Sequence, residues 1–201
     1  MLSKQILRRV REKMTISFKN FWSLNTDEAV VTGILRNYFK KKAEVFMPLN
    51  AQLKHIDLVV VNLKTSKLSK IQIKGSKAYQ PTKKETLLFK NGSGGWFFPK
   101  EEVIRDCTAD YMIFLVYVIV EDPELGRMRI ENHTITIKPS ELYKICQEKK
   151  ILHKNYSFYI WIDPKRKKAF EHRDKKQKGI IELDKYLDEK GFEQILADLG
   201  L

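Results

Sequence analysis

Cysteine is nearly missing from this sequence. Cys107 and Cys146 are the only two in 201 residues, too few for a disulfide framework or a zinc box. They are read as buried thiols, and their scarcity fits a reducing cytoplasm. Long apolar runs are missing too. The longest, Tyr111 to Val120, has ten residues, whereas about 20 are needed to cross a bilayer, so no membrane span is expected. The opening MLSKQILRRVREKM has neither the apolar stretch nor the small-residue cleavage site of a secretory signal. The four histidines, His55, His133, His153 and His172, stand apart with no metal-ligand spacing. The glycine-rich NGSGG before Trp96 lacks the Gly-Lys-Ser/Thr ending of a phosphate-binding loop. No internal repeat is visible.

Acid is the other shortage. Lys and Arg number 38 against 25 Asp and Glu, a net charge of +13. With 43% hydrophobic and 31% charged residues the chain has the makings of a globular core, and its length suits one domain with an appended element. An excess of positive charge of this size fits nucleic-acid phosphates or anionic lipid. No lipidation signal appears, which leaves nucleic acid as the leading partner.

A basic helix is expected over 3–19. A stronger helix opens at Thr26, read as its N-cap, with Asp27 and Glu28 in the first turn. Val30, Val31, Ile34, Leu35, Tyr38 and Phe39 then recur at helical spacing until Lys40, Lys41 and Lys42. Strands are expected over 44–47, 56–61 and 70–74, followed by a long loop from Gly75 to Gly95. Pro99 is expected at the first position of a short helix. Tyr111 to Val120, apolar throughout, reads as a central strand buried on both faces. Beyond it come a strand over 133–137, a helix over 140–149 capped by Ser140, a strand over 156–162, a basic stretch to 178, and a helix over 180–199 interrupted at Gly191. This order predicts an α/β domain with a mixed central β-sheet flanked by helices.

The chemistry concentrates on the second and third strands. Asp57 occupies a position in HIDLVVV where a buried strand has no obvious need of a carboxylate, and such a group must be paired or bind a cation. In Ile71-Gln72-Ile73-Lys74, alternation sends Gln72 and Lys74 to one face and the isoleucines to the core. A hairpin between the strands returns Lys74 to the neighbourhood of Asp57, and Glu28 can join from the helix. Two carboxylates, an amide oxygen and an ammonium suit Mg²⁺ with open positions for water and phosphate. The plainer alternative is a cross-strand Asp57–Lys74 ion pair with Gln72 facing solvent.

The pattern of Glu28, Asp57 and Gln72-x-Lys74, followed by Gly75-Ser76, resembles the PD-(D/E)XK nuclease superfamily. The resemblance covers about residues 25–120 and implies a restriction-endonuclease-like core. It also implies Mg²⁺-dependent hydrolysis of DNA phosphodiesters, with Mn²⁺ able to substitute. Carried over by residue, Asp57 is the central metal ligand and Gln72 stands at the Asp/Glu position. The Ile73 carbonyl completes the site, Lys74 is the catalytic lysine, and Glu28 acts on the metal directly or through water. Two positions depart from the pattern. Ile56 replaces the usual proline, and Gln72 replaces an acid, which lowers the charge at the metal and favours one metal over two. That second change keeps a competing reading open: a DNA-binding module on the same fold that no longer cuts.

The resemblance leaves a basic extension over 1–24 and further strands and helices over 121–201, packed on the same domain. Ser76, Lys77, Tyr79, Lys83 and Lys84, just after the motif, are candidates to track a DNA backbone. Lys165, Arg166, Lys167 and Lys168 are candidates for sequence-independent phosphate contact. Trp96, Phe97 and Phe98 are read as core rather than as a base-stacking platform. Cutting both strands of a duplex would favour a homodimer.

Overall fold

The computed structural model describes residues 26–48, 55–122, 124, 126–147, 156–171 and 180–201. The helix expected over 3–19, the rest of the 1–24 extension and the basic residues after Glu171 lie outside them.

The first helix, α1 (Thr26–Phe39), buries Glu28, Val31, Leu35 and Phe39. That stripe has helical spacing, and its first member is an acid. The strands β1 (Glu44–Phe46), β2 (Leu58–Asn62) and β3 (Lys67–Gly75) follow as an antiparallel meander. β5 (Tyr111–Asp122) runs parallel to β3, and β6 (Arg127–Ile137) closes the sheet antiparallel to β5. The sheet order is β1-β2-β3-β5-β6, which makes the chain α/β with a mixed five-stranded sheet. The place of β5 inside the sheet, between β3 and β6, explains its unbroken apolar run, since its first six residues are buried.

The crossover from β3 to β5 is not the open loop expected. It contains α2 (Lys83–Phe89), β4 (Ser93–Phe97) and α3 (Glu101–Arg105). Thr82 and Glu85 close α2 with a reciprocal capping box. Pro99 lies ahead of α3, whose N-cap is Lys100. After β6 comes α4 (Pro139–Gln147), where Pro139 and not Ser140 opens the helix. The strands β7 (Phe158–Asp163), β8 (Lys168–Glu171) and β9 (Ile181–Glu182) join β4 in a second sheet of order β4-β7-β8-β9. The helix expected over 180–199 is instead β9, a 3₁₀ turn (Asp184–Tyr186) and α5 (Glu189–Asp198). Gly191 does not interrupt α5. A Cβ there would lie 2.5 Å from the Tyr186 carbonyl and 2.7 Å from Thr136 Cβ, so glycine lets α5 pack close.

Two cores flank the first sheet. Val31, Leu35 and Phe39 of α1 and Phe192, Ile195 and Leu196 of α5 cover one face, against Leu58, Val60, Ile71, Ile73 and Ile113. The other face meets the second sheet, where Met112, Phe114, Val116 and Ile135 pack on Phe97, Phe158, Ile160 and Ala169. Each fully buried side chain of this kind stabilises the fold by about 1.5–3 kcal/mol. No helix among the described residues is long and apolar enough to cross a membrane.

Candidate functional site

The two faces of β3 have different jobs. Ile71 and Ile73 point into the core under α1, while Gln72 and Lys74 lie on the opposite face, beside β5 residues Met112 and Phe114. Asp57 comes just before β2, where its N–H donates to the Ile71 carbonyl at 2.8 Å. Leu58 also pairs with Ile71, so Asp57 and Leu58 together face Ile71, as in a β-bulge that ends the ladder. The Asp57 carboxylate then accepts the Ile73 N–H through Oδ2 at 2.7 Å. An N–H and the C=O of its own residue leave a strand on the same side. The Ile73 carbonyl therefore also points to the β2 side, where β2 has not yet begun.

The ion-pair alternative does not hold. Asp57 is bonded to backbone, Lys74 makes no ion pair among the described residues, and Gln72 is only 4% exposed instead of facing solvent. The Gln72 Oε1 accepts one weak hydrogen bond, from the Cys107 thiol at 3.7 Å. Burial pushes the Cys107 thiol up in pKa, with smaller contributions from its surroundings that include Lys74 and Asp57, so the sulfur keeps the proton it donates. Sequence reading missed Cys107 as a neighbour of this cluster. It arrives from the turn between α3 and β5, with no motif linking it to Gln72.

Glu28 stands at the same end of β3 but on the helix side, 6% exposed. Its neighbour Asp27 fixes this arrangement. The Tyr117 hydroxyl donates to Asp27 Oδ1 at 2.6 Å, and a Cβ on Gly75 would lie 1.8 Å from Asp27 Oδ2. Glycine after Lys74 is thus what lets the start of α1 close on the strand end. Among the described residues no group of three or more His, Cys, Asp and Glu side chains is placed to hold a metal. The oxygen donors gathered here are one carboxylate, one amide and one backbone carbonyl.

Ser76 ties this strand end to the second sheet. Its Oγ accepts the Trp96 N–H at 3.0 Å and donates to the Lys77 carbonyl at 3.1 Å, so the hydroxyl is committed within the chain. Lys74 opens onto a cleft of about 460 Å³ whose other walls include Trp96, Phe98, Pro99, Lys100 and Glu102. The aromatic trio expected in the core is divided. Phe97 is buried at 3% exposure, Trp96 is half-buried and Phe98 is 64% exposed. A larger groove of about 960 Å³ lies elsewhere, between the end of α1 and the start of α5. Of the two acids lining it, Asp188 is already engaged, bonding His133 Nδ1 at 2.7 Å and the Thr134 N–H at 2.7 Å.

The remaining basic candidates separate into two groups. Lys77, Tyr79, Lys83 and Lys84 are exposed, the two lysines on the first turn of α2. Lys165, Arg166 and Lys167 form the β7–β8 turn and Lys168 begins β8. Two of these four have acidic partners: Arg166 faces Asp163 at 3.8 Å and Lys168 bonds Asp184. That pairing raises the Lys168 pKa. Compared with known proteins, the chain matches no family model, no curated protein and no solved structure.

Proposed function

We propose that this chain is a Mg²⁺-dependent DNA endonuclease with a restriction-endonuclease-like core. The observation that carries the reading is the state of three side chains at the end of β3. The Gln72 amide is buried, the Asp57 carboxylate is held by the backbone N–H of Ile73, and Lys74 has no acidic partner among the described residues. A buried glutamine oxygen with a single 3.7 Å thiol donor is under-satisfied, and a cation would complete it.

The donor set fits Mg²⁺ and Mn²⁺. Asp57, the Gln72 amide oxygen and the Ile73 carbonyl would hold the ion, with Glu28 acting from the helix side. Hard oxygens of low total charge leave several positions for water and phosphate. When bound, the ion supplies Lewis-acid polarisation of a phosphoryl oxygen and a more acidic water. The chain's own residues do the rest. Asp57 keeps its orientation through the Ile73 N–H, and Lys74 sets its ammonium toward the charge that develops on the phosphoryl oxygens as water attacks phosphorus and the 3′ or 5′ oxygen leaves. Exposed Lys77, Lys83 and Lys84 guide the DNA backbone past this point. A homodimer would bring one such centre to each strand of a duplex, and a cytoplasmic setting suits the free thiols.

The test is cleavage of supercoiled, linear, single-stranded and four-way-junction DNA in Mg²⁺ and in Mn²⁺, with chelator controls. Wild type should cut, and Asp57→Ala and Lys74→Ala should not. DNA binding without cutting by wild type would hand the reading to a non-cleaving DNA-binding module. Cutting that persists in both variants would place the chemistry elsewhere.

A further inference from the structure

We propose that the cleft beside Lys74 is a stacking subsite for an unpaired nucleobase, so that the preferred DNA carries a single-stranded or extruded nucleotide next to the phosphate being cut. This rests on the nuclease reading for the phosphate, but its own evidence is the aromatic wall. Trp96 lies nearly parallel to Tyr159, with ring centroids 4.4 Å apart and planes 26° apart, and to Phe98, at 6.1 Å and 6°. The array is anchored at Trp96 and at Tyr159. The Trp96 backbone is held by Ser76, two residues after Lys74. Tyr159 is raised in pKa by burial and by its hydrogen bond to Glu85 of the α2 cap.

The array leaves its last ring 64% exposed at the cleft, where it offers a face to a flat partner. The occupant is specified by what surrounds the ring. Lys74 shares the cleft and makes no ion pair among the described residues, whereas Lys100 is partly offset by Glu102 at 3.8 Å. A flat π-surface flanked by one available cation matches a base joined to its phosphate. An intact duplex keeps its bases stacked on one another and can offer this wall only backbone.

The experiment is metal-free binding of oligonucleotides carrying 2-aminopurine, single-stranded and in duplex, to wild type, Phe98→Ala and Phe98→Tyr. Exposure of Phe98 makes these variants compatible with folding, which circular dichroism checks. Wild type should quench the single-stranded probe. Phe98→Ala should weaken single-strand binding roughly 5- to 100-fold and remove the quench, Phe98→Tyr should retain both, and duplex affinity should move less than about twofold. Equal binding of single strands by wild type and Phe98→Ala would overturn the proposal, as would equal losses for single strand and duplex. Cleavage by the same proteins separates the two readings. Phe98-dependent single-strand binding without any cutting sustains the subsite and defeats the nuclease. Cutting without Phe98 dependence does the reverse.

Discussion

The end of β3 and the β7–β8 turn are both basic, and both were candidate sites for DNA phosphate. In both, an acid accepts a backbone N–H, and what differs is whether the cations are paired. In the turn, Arg166 and Lys168 already face Asp163 and Asp184. A phosphate arriving there must share cations already held by acids that are largely buried, Asp163 most of all. At β3, Lys74 is half-buried beside a carboxylate that has been turned onto the Ile73 N–H instead. Net charge measures only the excess of cations over acids. Which of them is available depends on where the acids are bound, and that is set by backbone geometry.

Substituting the cations is the hardest test of this contrast. Lys74→Met should lower the single-turnover cleavage rate by about 10²- to 10³-fold, in line with losing one stabiliser of transition-state charge, with DNA binding changed far less. Arg166→Gln and Lys168→Gln should leave the rate within about twofold. Equal losses at both places would dissolve the distinction.

Gly75→Ala probes how closely the start of α1 must approach the site. A methyl group 1.8 Å from Asp27 Oδ2 forces that carboxylate away from Tyr117. A stability loss of about 1–3 kcal/mol is expected, read by denaturant unfolding and accompanied by loss of activity. Tolerance of alanine would mean that α1 is free to move off the strand end.

Gln72→Glu places an acid next to Ile73, whose N–H holds Asp57. Two carboxylates in one partly buried place repel, so the variant should melt lower than wild type in chelator. It should also gain more stability on adding Mg²⁺ or Mn²⁺, as ligand linkage requires when affinity rises, with a metal midpoint about tenfold lower. Identical metal response in the two proteins would remove Gln72 from the ligand set.

A smaller effect separates the site from the groove between α1 and α5. Burial lowers the His133 pKa, but hydrogen bonds and charge from Asp188 and Glu131 outweigh it, and the net shift is upward. A raised folded-state value means the folded protein binds the proton more tightly. The resulting stabilisation is complete below the ordinary histidine value of 6.5 and is lost as pH rises through the folded-state value. The melting temperature should therefore fall by on the order of a few degrees across that window, and His133→Gln should flatten the fall. A wild-type profile already flat would contradict the His133–Asp188 contact.

The parts legible from sequence were those where one periodicity ruled. The stripe of Val31, Leu35 and Phe39, the apolar alternation of Ile71 and Ile73 and the continuous run of β5 each follow from burial on a known side. The crossover failed for two reasons. The cap Thr82-x-x-Glu85 was present but preceded only a seven-residue helix. Ser93-Gly94-Gly95-Trp96 has poor strand propensity and is held by close approach to β7, where a Cβ on Gly94 would lie 2.7 Å from the Ile160 carbonyl. Such tertiary compulsion leaves no local pattern. The site divides in the same way. The return of the end of β3 to the neighbourhood of Asp57 follows from the hairpin, whereas Cys107 and the exposed face of Phe98 depend on how the second sheet and α3 come to rest.

The most direct measurement is a Mn²⁺ titration of the protein alone, followed by electron paramagnetic resonance, for wild type and Asp57→Asn. The account predicts one bound Mn²⁺ per wild-type chain, displaced by excess Mg²⁺, and its loss in the variant while the fold is retained. No specific Mn²⁺ binding by wild type, or binding indifferent to Asp57, would contradict it.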